Sequence, residues 1–438
     1  HPTGRATAIG SDELSLEGQA PGFALRRELE WEERNGEQRK YPEIYDDEGQ
    51  RLDFARQVLY GNDNDGRGTR LEVRLKDIAP GAAMRQEGST LRVENAGEAV
   101  LILTTATSFN GYDRSPSRAG MNPAIRAAAD LRAASAKPYT ALLSAHTSDY
   151  QRLFDRADLS LGSPGPAAEL PTDQRIRAFA ANPDPSLAAL YFHFGRYLMI
   201  AGSRPGSQPL NLQGIWNDEV IPPWASAYTV DINAAMNYWL GETASLQDCH
   251  EPLFRMVEEL MQNGRKVAQD TYGLPGWVAH HNTSIWRGAQ PVDGQARASF
   301  WPMAGGWLAR HLWDHYLYSG DRRFLEDRAW PVMSGAAEFL SAWLTEAADG
   351  TLVTPVGTSP ENIFRYTAAD GTKQIASVSQ GPTMDLAIIR ELFASTIAAS
   401  KLLNQGQELA ARLSDQLARL RPFRTGSKGQ LLEWEKDF

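Results

Sequence analysis

The chain has 438 residues, more than one ordinary hydrophobic core accommodates, so two or three domains are expected. Hydrophobic residues make up 42% and charged residues 22%, a globular balance that excludes a disordered chain, and the formal net charge of −10 with no basic stripe argues against nucleic-acid binding. The single cysteine, Cys249, excludes an intramolecular disulfide scaffold, and no run of about 18 apolar residues is present to span a bilayer.

The mixed charges of 26–39 alternate in sign and read as solvated surface. The chain begins without Met, in polar sequence with no visible leader. We therefore expect a leader to have been removed and a periplasmic or secreted location. Tryptophan is abundant, with 12 residues. Most are expected in the core, and the remainder offer flat apolar faces on which sugars stack.

Residues 1–113 read as a β-sandwich-like domain. Short β-rich runs at 71–75 (LEVRL), 90–93 and 99–105 (AVLILTT) are punctuated by Gly and Asn clusters such as 61–68. The domain starts abruptly and is expected to lack some strands. A helical linker over 114–170 follows, with helices at 122–136 and 139–157 and one further strand at 158–161 (DLSL).

From 171 to 438 the pattern is helical. Spacing predicts helices near 173–181, 186–203, 231–243, 251–270, 304–319, 322–344, 384–403 and 408–420. Long loops at 205–230, 272–303, 353–382 and 422–438 are rich in aromatic and polar residues, where function concentrates. Paired helices with long loops on one side suggest an α/α toroid. The predicted helices are too few for the six pairs of a closed (α/α)6 barrel, so the barrel is expected to be incomplete at its C-terminal end.

Four segments could carry chemistry. In 354–364 (TPVGTSPENIF), Glu361 follows a proline that fixes φ, and apolar neighbours would raise its pKa toward that of a general acid. Alternatively, Ser359 or Glu361 caps a helix or turn. The loop 211–239 holds Trp216, Trp224, amides that both donate and accept, and Asp231 two residues before Asn233. Asp231 could equally be the N-cap of the following helix. The loop 276–288 (GWVAHHNTSIWRG) suits sugar hydroxyls better than a metal, since no Cys or close carboxylate joins it, though His280 or His281 may simply be a buried histidine bonded to backbone. At the end, Glu433 and Asp437 would share a face if helical, and one could be the second carboxylate of a glycosidase; alternatively the stretch is solvated.

Other chemistries find less support. His311 and His315, in HLWDH, lack the Glu of the zinc motif H-E-x-x-H and read as helix-surface or core histidines. No metal or organic cofactor is implied. No phosphate-cradling Gly loop or G-x-S-x-G elbow is present.

Taken in order, PLNLQGIWN (209–217), PPWASAY (222–228), DINAAMNYW (231–239), GWVAHHNTSIW (276–286), WPMAGGWLARHLWDHY (301–316), LVTPVGTSPEN (352–362), TMDLAIIRELF (383–393) and LLEWEKDF (431–438) resemble glycoside hydrolase family 95, the α-L-fucosidases and α-L-galactosidases. ENAGEAVLILTTATSFNGYD (94–113) is similar to the end of that family's N-terminal β domain. The resemblance implies an N-terminal β domain, a helical linker, an (α/α)6 barrel and a C-terminal β domain. It also implies inverting exo-hydrolysis of a terminal α-L-fucose-type sugar from a glycan.

Carried over by position, Glu361 is the general acid. Asp437 is the base carboxylate, with Glu433 as the nearer fallback. Asn233 is the second asparagine of an N-I-N segment that positions the water. Asp231 stands where the first belongs, which leaves three readings open: it is itself the base, it shares a proton with Asp437, or it marks altered specificity. Ser284 stands where the family often has Asp. Thr229 corresponds to a position near C5 of the sugar, where a small polar residue could admit L-galactose. Trp216, Trp224, His281, Asn282 and Trp286 are the remaining sugar-contact candidates. The alternative to an enzyme is a non-catalytic glycan-binding protein on a glycosidase scaffold. The oligomeric state is not readable.

Overall fold

The computed structural model describes residues 3–10, 12–25, 48, 50, 58–61, 65–78, 83–292 and 295–438. The 26–39 charge run lies outside the described residues, as does part of 61–68. Two compact units are present: His1–Arg152 with Asn217–Ser226, and Leu153–Trp216 with Ala227–Phe438.

In the first unit, β1 (Arg5–Ile9), β2 (Glu13–Gln19), β5 (Arg70–Asp77) and β8 (Leu101–Thr107) form an antiparallel sheet in the order β1-β2-β5-β8. β3 (Phe23–Ala24) pairs with β4 (Val58–Leu59), and β6 (Ala83–Glu87) with β7 (Thr90–Glu94). Among the described residues this is one sheet with two ribbons rather than two stacked sheets. Helix α1 (Pro123–Ser135) covers the sheet at β5 and β8. Asn122 caps it by accepting from the Ala124 N–H, and Pro123 opens it, where a missing N–H costs nothing. The alternation of LEVRL suggests an apolar inward face, yet Glu72 is the buried residue. Its carboxylate accepts from Ser15 Oγ at 2.6 Å and from Arg74, so the charge is paired rather than excluded. Helix α2 (Tyr139–Phe154) follows.

The second unit is helical. The strand expected at 158–161 is not formed, because the Leu159 N–H bonds His193 rather than a neighbouring strand. Helices α3 (Thr172–Ala178) and α4 (Pro185–Gly202) are joined by Arg175, whose guanidinium meets Asp184 at 2.9 Å; Asp184 also N-caps α4. The helix expected over 231–243 splits at Trp239 into α5 (Asn233–Tyr238) and α6 (Leu240–Thr243). α7 (Gln247–Val267) runs into a π turn at Ala268–Tyr272, ended by Gly273 at φ 64°. α8 (Ala304–Ser319), α9 (Trp330–Trp343) and α10 (Thr383–Leu403) pack against one another, and α11 (Gln407–Arg419) packs on α9 and α10. Gly306 permits that packing, since a Cβ there would sit 3.0 Å from Ile388 and 3.1 Å from Leu340.

The core holds Trp277, Trp301, Phe339 and Phe393, all nearly inaccessible. No described helix is long and apolar enough to cross a membrane. Two-stranded ribbons fill the loops: β9 (Tyr228–Thr229) with β10 (Asn282–Thr283), β11 (Thr345–Glu346) with β12 (Leu352–Val353), and β13 (Phe364–Thr367) with β14 (Lys373–Ala376). The last lies inside the loop expected over 353–382.

Candidate active site

The β9–β10 ribbon draws two of the candidate loops together. Thr229 lies opposite Asn282, and the Val230 N–H donates to the His281 carbonyl at 2.7 Å. Asn282 Nδ2 approaches Thr229 Oγ1 at 3.4 Å. His281, Asn282 and Thr283 are all buried. Asp231 leaves this ribbon just before α5. It is 7% exposed, and its Oδ1 has no hydrogen-bond partner among the described residues. The N-cap of α5 is Ile232, with no side-chain capping bond, so Asp231 is not the cap that the sequence allowed. Asn233, half-buried, opens α5.

Burial raises the Asp231 carboxyl to about 6. The negative charge of Glu361 adds to the rise, while backbone amides at Asp231 and Ile232 oppose it. The charge of Glu361 thus reaches Asp231 although the two are far apart in sequence.

Glu361 sits in a turn closed by the Asn362 N–H donating to the Ser359 carbonyl at 2.7 Å, with a cis peptide bond between Pro360 and Glu361. Thr354, Thr358 and Ser359 beneath it are buried, but Glu361, Asn362 and Ile363 are exposed. The expectation that apolar neighbours enclose Glu361 is thus not met, because the turn projects beyond its buried base.

Asn362 Nδ2 donates to Glu433 Oε1 at 2.6 Å, which joins LLEWEKDF to the Glu361 turn. Trp434 packs against Phe364, and Phe438 stacks on the same ring at 4.1 Å between centroids. Residues 431–438 are not helical, so Glu433 and Asp437 do not share a helical face. Their aromatic neighbours hold the segment as a bent ribbon over β13. Asp437 is exposed. Its oxygens accept from the Ser427 N–H at 2.6 Å and from Gln430 Nε2 at 3.2 Å, and these bonds lower its pKa. Its described bonds therefore close the 427–430 turn rather than reaching Asp231 or Asn233. A cleft of 640 Å³ is lined by residues of 363–365 and 430–438, Glu433 and Asp437 included.

Trp216 and Trp286, 50% and 40% exposed, present open ring surface on the helical unit. Trp224, also exposed, belongs to the other unit, where Trp224, Ala225 and Ser226 all have positive φ. His280 is structural: its Nδ1 bonds the Ala289 carbonyl at 2.7 Å, its Nε2 accepts from Tyr272, and burial lowers its pKa to about 4. His311 and His315 join a polar core cluster, His311 through His250 at 3.0 Å and His315 through Glu242 at 2.8 Å. Among the described residues no group is arranged to hold a metal.

Two residues were not singled out from sequence. Arg287, 1% exposed, bonds Glu259 at 2.9 Å, Gln208 at 2.6 Å and the Ser284 carbonyl at 3.1 Å, bracing the loops that carry His281 and Trp216. Its only sequence signal is a lone Arg among aromatics and glycine. Asp385, 0% exposed, lies behind the Glu361 segment; its signal is a charge on an otherwise apolar face of α10.

A helical unit in which exposed tryptophans accompany coupled carboxyls on long loops has the make-up of a glycosidase catalytic domain. Residues 138–438 match the glycosyl hydrolase family 95 catalytic domain, and the chain belongs to that family. It is 40% identical over 373 residues to "Alpha-L-fucosidase 2" of Arabidopsis thaliana, covering 84% of this chain and 44% of that protein. It is 30% identical over 397 residues to "Probable alpha-fucosidase A" of Aspergillus niger, covering 86% and 48%. The chain thus spans about half the length of these curated relatives. A solved structure described as "Putative kojibiose phosphorylase from human microbiome" shares the fold, with a TM-score of 0.58 at 10% identity, over 98% of this chain and 48% of that one.

Proposed function

We propose that the protein is an inverting exo-glycosidase that releases terminal α-L-fucose, or α-L-galactose, from oligosaccharides or plant or host glycans. In this reading 1–113 is the N-terminal β domain, 114–170 the linker and 171–438 part of an (α/α)6 barrel, in a periplasmic or secreted protein. Glu361 protonates the departing glycosidic oxygen. A water attacks the anomeric carbon from the opposite face and gives its proton to a carboxylate, leaving the free sugar with inverted configuration.

The observation that carries the reading is the Asp231–Glu361 coupling. A carboxyl that is buried, unpartnered at Oδ1 and raised to about 6 is suited to accept a proton near neutrality. We therefore assign the base to Asp231. Asn233, two residues on, orients the water, and Thr229, His281 and Asn282 line the sugar. Trp216 and Trp286 supply stacking surfaces. The resemblance favours Asp437 as base instead, but that carboxylate is engaged by Ser427 and Gln430. A phosphorylase would use phosphate in place of a base carboxylate, and Asp231 argues against it.

Proton NMR of the products from an aryl α-L-fucoside and an aryl α-L-galactoside tests the reading. The expected first product is the β-anomer. Retention of configuration would contradict inversion, and no turnover of either substrate would favour the glycan-binding alternative.

A further inference from the structure

We propose that Asp385 is a positioning residue for Glu361: from the first turn of α10 it clamps the segment 354–359, which ends at the Glu361 turn. The inference rests on the reading of Glu361 as proton donor. Asp385 Oδ2 accepts from Thr354 Oγ1 at 2.8 Å. The same oxygen presses on Gly357, where a Cβ would lie 2.1 Å away. One carboxyl thus touches the segment at two points, and only glycine fits at the second.

The far side of the segment is held by backbone. The Gly381 N–H donates to the Thr354 carbonyl at 3.0 Å, and Gly357 and Ser379 exchange bonds at 2.9 and 3.0 Å. Thr358 Oγ1 donates to the Ser377 carbonyl at 2.7 Å. Residues 354–358 therefore lie between the 377–381 stretch and Asp385, and Glu361 projects from that clamp.

Among the described residues Asp385 makes no ion pair. No charged group of α8, α9, α11, its own helix or the 354–359 and 432–433 stretches influences it. Burial raises its carboxyl to about 8, opposed only by the Thr354 hydroxyl. Burial thus favours its neutral form, and asparagine reproduces that form's shape, charge and acceptor oxygen.

A residue acting through Glu361 matters only where protonation of the leaving group matters. The test is kcat and KM of the intact protein on phenyl α-L-fucoside, which needs protonation, and on 2,4-dinitrophenyl α-L-fucoside, which does not. Asp385→Ala is expected to lower kcat on the phenyl substrate about 100-fold with KM nearly unchanged, and to leave the dinitrophenyl substrate little affected. Asp385→Asn is expected to restore kcat to within about threefold. If Asp385→Ala does not fold, Thr354→Val is read the same way, with a loss of about 10-fold on the phenyl substrate alone. Equal losses on both substrates, or none, would overturn the inference. Glu361→Gln serves as the reference: discrimination there without discrimination at Asp385 refutes only the positioning role, whereas no discrimination in Glu361→Gln removes Glu361 as donor and this inference with it.

Discussion

Asp231 feels the charge of Glu361: burial raises the Asp231 carboxyl to about 6, and the Glu361 charge adds to the rise. As base, Asp231 must be ionised, so kcat/KM on an aryl α-L-fucoside should fall about tenfold per unit as pH drops below about 6. In Glu361→Gln the neighbouring charge is gone, and the Asp231 titration should move to lower pH. A carboxyl-carbon NMR titration of both proteins measures this. A midpoint unmoved by the substitution would deny the coupling.

Glu361→Gln should also lower kcat on phenyl α-L-fucoside by about 1000-fold, since general acid catalysis supplies roughly that much when the leaving group is poor. Circular dichroism should be unchanged, because Glu361 is exposed. Near-normal turnover would remove Glu361 from the mechanism.

Arg287 is expected to act on stability first. Replacing it with Leu removes the Glu259 partner at 2.9 Å, leaving that half-buried carboxylate with Arg255 alone, and frees the Gln208 loop. Urea unfolding should show a loss of about 2 kcal/mol, the scale of a hydrogen bond to a charged group. An unchanged midpoint would mean that the brace carries no load.

Asp385 gives stability a pH dependence of known sign. Its folded pKa, raised to about 8, exceeds the ordinary value of 3.8, so the native state holds the extra proton. Its contribution is full below the unfolded pKa and is lost as pH rises through the folded one, at up to about 1.4 kcal/mol per unit. Asp385→Asn removes this slope. Between pH 5 and pH 8 the wild-type melting temperature should therefore fall relative to the variant's, and parallel curves would place the Asp385 pKa near its ordinary value.

Local rules made much of the fold legible. The boundaries of α4 follow from Asp184 and Pro185, and the ends of α8 and α10 from Gly320 and Asn404 in left-handed backbone. The β13–β14 ribbon was missed although Asp370–Gly371 marks its turn, because four-residue strands inside a polar loop carry little periodicity. The split at Trp239 and the π turn at Leu325–Ala329 were invisible, since tertiary packing rather than propensity sets them. At the site, Glu361 and Asp231 could be named from their segments. The coupling between them is 130 residues long-range and emerges only when the loops fold together. The exposure of Glu361 and the turn-bound Asp437 are likewise tertiary facts.

The account stands most directly on Asp231 as the base. Asp231→Asn recreates the N-I-N segment that the family resemblance leads one to expect, which makes it a decisive substitution beside Asp437→Asn. In steady-state kinetics on phenyl α-L-fucoside, Asp231→Asn should lower kcat about 1000-fold with KM little changed, and Asp437→Asn should cost far less. An Asp231→Asn protein as active as wild type, together with a dead Asp437→Asn, would transfer the role to Asp437 and contradict the account.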